Sequence, residues 1–425
     1  MTGVQTCALP IYVKECYYYL DGTPTHSYLK ALYKYPQAAF PYVQLVEENQ
    51  RRGLEAPEFE LTDTAIFDEN RYFDVLVEYA KASAQEILIR ITITSRGPDP
   101  APVDCLPTLW FRNTWSWSSP HVLAPHKPRI TRIRKGCLQA GHDVLGQWFL
   151  CSEGTSAKSE VPVLFTENET NVERLFGAPN PAPFVKDAFH EYVIHGRQDV
   201  VNPDLRGTKA ALHYHAELGP GETQIFRLLL TPKNNAGIVP EQFDRSIQRR
   251  IDEADQFYRG IIPQNLSTDE QRILRQAYAG LVWNQQFYHY IVSDWLAGDP
   301  SQPPPPKEHQ KGRNHNWHHF YARDVISMPD KWEYPYFAAW DLAFQMVVFA
   351  GLDLRFAQDQ LLLLLKDRYM SPQGQIPAYE FNFSNNDPPV QAWAAWTIYQ
   401  RSKAGGQGDR SFLESVFQKL LLNFN

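Results

Sequence analysis

The segment Trp332-Glu333-Tyr334-Pro335-Tyr336-Phe337-Ala338-Ala339-Trp340-Asp341 sets two carboxylates among aromatic rings. That combination suits a sugar, because the C–H face of a pyranose packs on a ring while its hydroxyls donate to a carboxylate. Seven of the 11 tryptophans fall between Trp283 and Trp396, so the aromatic excess is concentrated around this segment. An aromatic helix core capped by an acid would use the same residue types equally well. A similar start recurs at Asp387-Pro388-Pro389-Val390-Gln391-Ala392-Trp393, and Tyr379-Glu380 precedes it in a stretch holding Gly374 and Pro377. The candidate sugar-contacting residues are Trp332, Glu333, Tyr336, Trp340, Asp341, Tyr379, Glu380, Gln391 and Trp393. Asp341 falls near the start of a helix, where the dipole favours the ionised form. An ionised carboxylate accepts hydrogen bonds well and donates a proton poorly, so ligand holding is its expected role unless burial raises its pKa.

His309, His315, His318 and His319, with Asp324 nearby, are the other concentration of reactive side chains. Metal ligation needs a defined spacing. His318 and His319 are adjacent and no HExxH occurs, so the stretch reads as an exposed polar loop before a helix. Phosphate-binding and nucleophile-elbow patterns are absent from the sequence. No metal and no cofactor is expected.

The elements that must hold these residues fall into two parts. From Tyr72 to about Thr231 the pattern is strand-like. Phe73, Val75, Val77 and Tyr79 alternate with Asp74, Leu76, Glu78 and Ala80, and Ile87, Ile89, Ile91 and Ile93 keep the same period. Short runs at Leu106–Arg112, Gln147–Ser152, Val161–Glu167 and Gln224–Thr231, separated by Gly and Pro, extend this to a β-sandwich. The aromatic stretch Ser27–Arg52 before it reads as partly helical. Ser267 with Glu270 three residues on is a capping box, opening a helical run through about Phe287. Pro303–Pro306 is a stiff surface connector. The starts at Pro335 and Pro388, each with proline near the first helical position and tryptophan five residues on, mark a repeated helical hairpin of about fifty residues. With the Ser267 start this gives three hairpins.

The chain has 41 basic and 48 acidic residues, net −7, and 43% of its residues are apolar, enough for a sizeable core. No apolar run approaches the roughly 20 residues of a membrane span. No basic cluster suggests nucleic acid. Met1–Ile11 has neither periodicity nor a basic leader and reads as a translated sequencing adapter, so it is set aside as an assembly artefact. The remaining Cys16, Cys105, Cys137 and Cys151 are too scattered to suggest a disulfide framework, which favours a reducing, cytoplasmic setting. The last residues, Leu420-Leu421-Leu422-Asn423-Phe424-Asn425, lie inside an apolar-periodic run without a cap. The expectation is a chain truncated at both ends.

Trp340-Asp341 after Glu333-Tyr334-Pro335, together with Pro388-Pro389-Val390-Gln391-Ala392-Trp393-Ala394, resembles glycoside hydrolase family 63 and its relatives. These include mannosylglycerate hydrolase-like and processing α-glucosidase-like proteins and, more distantly, trehalases. Asp21-Gly22-Thr23-Pro24-Thr25-His26-Ser27-Tyr28 and Leu106-Pro107-Thr108-Leu109-Trp110-Phe111-Arg112-Asn113-Thr114-Trp115 look like a bacterial glucosidase branch of that group. The resemblance runs from Tyr12 to Asn425. It implies a β + α multidomain protein: residues 12–262 as a β-sandwich with a helical insertion, and residues 263–425 as the first half of an (α/α)6 barrel, a six-hairpin toroid. It also implies inverting hydrolysis of α-linked glucosyl or related glycosides, one carboxylic acid protonating the leaving oxygen while an opposite carboxylate activates water across roughly 6.5–9.5 Å.

In that family the aspartate of this motif binds hydroxyls in the −1 subsite, which maps onto Asp341. The acid lies in a later Gly-x-Asp-Asn-like motif and the base is a glutamate near the end of the barrel. No such motif occurs after Asp341 here, so both catalytic carboxylates are expected beyond Asn425, with Asp341 as the fallback catalytic residue. The implied partner is a carbohydrate substrate, with no nucleic acid and no membrane. The competing reading is a non-catalytic carbohydrate-binding or scaffold protein on the same folds. Metal-dependent hydrolysis through His309–His319 ranks last.

Overall fold

The computed structural model describes residues 15–54, 56–117, 126–153, 161–330, 336–371, 374–379 and 390–421. Met1–Ile11 lies outside them. In chain order the first part runs β1 (Tyr17–Gly22), β2 (Tyr28–Pro36), α1 (Tyr42–Arg52), β3 (Tyr72–Ser83), β4 (Glu86–Ser95), β5 (Ala101–Cys105), β6 (Thr108–Trp110), β7 (Arg129–Arg134), β8 (Cys137–His142), β9 (Gly146–Ser152) and β10 (Val163–Thr166). It continues with α2 (Val172–Phe176), α3 (Ala188–His195), β11 (Arg206–Gly207), β12 (Lys209–Leu212), β13 (Tyr214–Leu218), β14 (Thr223–Thr231) and α4 (Pro240–Ile261).

Nine strands form one antiparallel sheet in the order β1-β2-β3-β4-β14-β9-β8-β7-β11, and β10-β12-β6 and β13-β5 form two smaller sheets. One core joins them. Phe73, Ile91, Ile93, Leu138, Leu150 and Leu228 of the large sheet pack with Val103, Phe165, Leu212 and Leu218 of the smaller ones. This is the two-layer result that period-two strands with one apolar face produce. On the large sheet, Phe243, Ile247 and Ala254 of α4 pack against Tyr28, Ala80, Leu88 and Leu229.

The stretch Ser27–Arg52 is partly helical, as expected, and two expectations about the cysteines need correction. Tyr28–Pro36 is a strand and only Tyr42–Arg52 is helical. The helix-favouring Leu29, Lys30, Ala31 and Leu32 are overridden by unbroken pairing with β3, from Tyr28 opposite Ala80 to Pro36 opposite Tyr72. Cys137 and Cys151 form a disulfide. The β8–β9 register sets them directly opposite each other, which sequence separation alone does not reveal. That bond removes the cysteine argument for a reducing compartment.

The second part runs α5 (Thr268–Trp283), β15 (Gln285–Ile291), α6 (Val292–Ala297), β16 (Tyr321–Ser327), α7 (Ala339–Phe349), α8 (Leu354–Leu364), α9 (Val390–Ala404) and α10 (Arg410–Leu421). The capping box is present: Ser267 Oγ accepts from Glu270 N at 3.3 Å and Ser267 N donates to Glu270 Oε2 at 2.8 Å. The helix it opens stops at Trp283, short of Phe287, and gives way to an antiparallel ribbon of β15 and β16. The aromatic, β-favouring run Phe287-Tyr288-His289-Tyr290-Ile291 accounts for the change. The first of the three expected hairpins is therefore a helix plus a ribbon. The other two, α7 with α8 and α9 with α10, are helical and share a core built on Leu342, Met346, Leu361, Leu364, Ala394, Ile398 and Phe412. Among the described residues no helix is long and apolar enough to cross a membrane.

The two parts are joined at α5. Asp21, 6% exposed, accepts from Gly22 N at 2.9 Å and pairs with Arg275. Trp283 Nε1 donates to the Asp21 carbonyl at 2.9 Å, and the Trp283 ring stacks on Tyr19 with centroids 5.0 Å apart. Burial outweighs Arg275 in setting the Asp21 carboxyl, which is pushed above the ordinary aspartate range.

Candidate functional site

The start of α7 is held from two sides. Ala338 is extended and bridges Tyr379, and Ala339 N donates to the Ala378 carbonyl at 2.9 Å. Phe337, fully buried, stacks on Phe320 at 5.7 Å and meets Tyr369 edge-on at 5.7 Å, anchoring the segment in the core. This arrangement brings the Tyr336 and Tyr379 rings to 6.1 Å. Helix α7 begins at Ala339. Pro335, Trp332, Glu333 and Glu380 lie outside the described residues, as do Pro388 and Pro389.

Trp340 and Asp341 occupy the first turn of α7. Trp340, Phe344 and Val348 recur every four residues and so share one face. Helix α9 packs beside it, with Trp393 5.3 Å from Phe344. Trp340, Phe344, Val348, Trp393 and Trp396 are each 43–52% exposed, an uncovered aromatic row across two helices. Gln391, at the start of α9, is 3% exposed, and its Nε2 has no hydrogen-bond partner among the described residues. The structure therefore gathers Tyr336, Trp340, Asp341 and Tyr379 at one helix start and sets Trp393 alongside. It places Gln391 in the interior.

Asp341 runs against the expected direction. Partial burial raises its carboxyl above the ordinary aspartate range, outweighing a hydrogen bond from its own backbone N–H. Desolvation of the charged form thus wins over the pull toward ionisation at the helix start. A carboxyl displaced upward keeps its proton to higher pH, which brings proton donation within its chemistry beside hydroxyl binding.

The histidine-rich stretch is a structural loop. His309 Nε2 pairs with the Trp295 carbonyl at 3.1 Å, His315 Nδ1 with that of Gly312 at 2.6 Å, and His319 Nε2 with that of Met370 at 2.8 Å. Asp324 is held by Arg368 at 2.6 Å and by the Tyr369 hydroxyl at 2.9 Å. The loop leads into the strand β16, where a helix was expected. Among the described residues no group of three or more His, Cys, Asp or Glu could hold a metal ion.

Sequence reasoning passed over a cavity of about 560 Å³ built around Asp294 and Trp295. The signal was present. Asp294-Trp295 is the same aromatic–carboxylate juxtaposition that singled out Trp340-Asp341.

Residues 334–425 match the family model of the mannosylglycerate hydrolase MGH1-like glycoside hydrolase domain. That stretch is glycoside hydrolase-like. It contains the candidate residues Tyr336, Trp340, Asp341, Tyr379 and Trp393. The uncharacterized protein YMR196W of Saccharomyces cerevisiae (strain ATCC 204508 / S288c) is 42% identical over 453 residues, covering 97% of this chain and 42% of that protein. The chain thus spans about two-fifths of the length of that curated relative. Among solved structures, "Putative kojibiose phosphorylase from human microbiome" aligns at TM-score 0.20 and 7% identity, covering 82% of this chain and 43% of that chain, a likeness too low to carry an argument.

Proposed function

We propose that this chain is part of an inverting glycoside hydrolase that acts on α-linked glucosyl or related glycosides. Residues 12–262 serve as its β-sandwich domain, and residues 263–425 contribute the first hairpins of an (α/α)6 barrel. The observation that carries this reading is the coincidence of the glycoside hydrolase-like stretch, residues 334–425, with a helix start that holds the paired Tyr336 and Tyr379 rings, Trp340 and the half-buried Asp341. In this reading Trp340, Tyr336, Tyr379 and Trp393 offer platforms to sugar rings. Asp341 takes hydroxyl hydrogen bonds in the subsite next to the scissile bond, and Trp332, Glu333 and Glu380 remain candidates for further sugar contacts. No residue of this chain is assigned as the general acid or base, and no Gly-x-Asp-Asn-like motif occurs after Asp341.

The test is saturation-transfer NMR with methyl α-glucoside and maltose, paired with an assay of glucose release. The expected result is sugar binding that Asp341→Asn weakens by about tenfold, the loss of one charge-assisted hydrogen bond, without turnover by residues 1–425 alone. Turnover by this chain that Asp341→Asn abolishes would make Asp341 catalytic. Indifference of both sugars to Asp341→Asn would overturn the assignment of the site.

A further inference from the structure

A cavity lies where the segment after β6 meets the β15 ribbon and α6, and none of its lining residues belongs to the Asp341 site. It encloses about 560 Å³, within the range of small-molecule sites. Its aromatic walls are Trp117, Tyr290 and Trp295. The Trp295 ring is braced by His309 at 4.1 Å and the Tyr290 hydroxyl by Asn314 at 2.8 Å, so both platforms are fixed in place. The proline run read as a surface connector supplies another wall through Pro303 and Pro305. Gly298, at φ +84°, lets the chain turn against Pro305, since a Cβ there would come within 2.6 Å of Pro305 Cδ.

The polar groups select among ligand classes. Asp299 is already satisfied: Ser301 donates to it at 2.9 and 2.8 Å, Gln302 at 3.1 Å and Ser116 at 3.4 Å. Asp294 is different. Its Oδ2 is buried and has no hydrogen-bond donor among the described residues. A buried carboxylate oxygen without a donor is costly, and a ligand hydroxyl would relieve that cost. Among the described residues Arg112 makes only long bonds, to the carbonyls of Phe287 at 3.4 Å and His289 at 3.3 Å, which leaves it able to donate. An anion would face two aspartates, and a cation would face Arg112. A neutral ring carrying hydroxyls that both donate and accept, with apolar faces for the aromatic walls, fits all of them.

We propose that this cavity is a second carbohydrate-binding site, accepting a neutral glycosyl unit or disaccharide through a hydroxyl-to-Asp294 hydrogen bond and stacking on Trp295. The proposal deepens the carbohydrate reading of this chain, but it stands on a separate set of residues. The test is isothermal titration of the full chain with maltose, using the near-isosteric Asp294→Asn and the shortened, uncharged Arg112→Gln, both expected to weaken binding, with choline chloride and inorganic phosphate as alternative probes. Thermal melts confirm folding. The expected result is a maltose site that Asp294→Asn weakens by about tenfold and that Asp341→Asn leaves intact. Maltose binding that only Asp341→Asn removes would overturn the second site and leave the first standing. Binding lost only in Asp294→Asn would do the reverse. Saturable binding of choline or phosphate in its place, or no maltose binding at all, also refutes the proposal.

Discussion

Replacing Arg275 with methionine tests the joint between the two parts of the molecule. Arg275 reaches from α5 to the buried Asp21 carboxylate, pairs with Asp255 at 2.6 Å, and lies over the Tyr258 ring at 4.7 Å. Removing one partner of a buried ion pair costs roughly 3–5 kcal/mol. Arg275 is itself partly exposed, with 23% of its side chain accessible, which points to the lower end. Loss of the ring contact adds about 0.5 kcal/mol, and the half-exposed Asp255 pair adds less than about 0.5 kcal/mol. The expected total is about 3–4 kcal/mol at neutral pH. The pH dependence has a definite sign. Burial already raises the Asp21 carboxyl in the intact protein, and without Arg275 it rises further. A carboxyl whose folded-state pKa lies above its unfolded value favours folding most in acid, and that contribution is lost as pH rises through the folded-state pKa. Urea unfolding from pH 4 to pH 8 should therefore show a deficit that is small in acid and grows toward neutrality. Asp21→Asn combined with Arg275→Met should recover about 2 kcal/mol, because no buried charge is then left alone. A deficit below about 1 kcal/mol at pH 7, or one that is flat with pH, would refute this account of the joint.

Three further outcomes are expected from the same structure. Relative to Asp341→Asn, the wild-type protein should lose stability as pH rises from the ordinary aspartate range to neutral, because its carboxyl is raised in the fold; paired thermal melts across pH measure it. Reducing the Cys137–Cys151 bond, which closes a sequence separation of 14, should cost about 2–3 kcal/mol in urea unfolding with and without a phosphine reductant, and Cys137→Ser with Cys151→Ser should be insensitive to the reductant. Ser267→Ala should cost about 1 kcal/mol by removing one half of the capping box, while Ser267→Asp should restore most of it in the same unfolding assay.

The legible parts of this sequence were those in which local pattern and tertiary environment agree. Strands β3 and β4 alternate cleanly because the large sheet has one face in the core. The Ser267 cap was readable because its geometry is local. Strand β2 was not, because Tyr28-Leu29-Lys30-Ala31-Leu32 carries helix-favouring residues and becomes a strand only by pairing with residues 44 to 52 positions away. Strand β15 was hidden for a related reason: an aromatic run directly after a helix is compatible with either period. Of the site, the aromatic–carboxylate motif at Trp340-Asp341 was readable as residue types. The Ala338–Tyr379 bridge and the raised Asp341 carboxyl were not, since both depend on what packs around the helix start. The identical local signal at Asp294-Trp295 went unread because nothing in the sequence shows that the proline run folds back as its wall.

The position of β14 in the large sheet bears on how the chain acquires its shape. It pairs with β4 on one side, Thr223 opposite Thr94 through Leu230 opposite Ile87, and with β9 on the other. The last strand of this sheet to leave the ribosome is thus the one that joins its two halves. Until Thr231 emerges, β1–β4 and β7–β9 are separate ribbons, each with an open edge, and the buried side chains of β4 and β9 have no partner. Closure at such sequence separation is slow, and open edges recruit other chains. Synthesis rate and chaperone supply, more than final stability, should therefore govern the yield of folded protein.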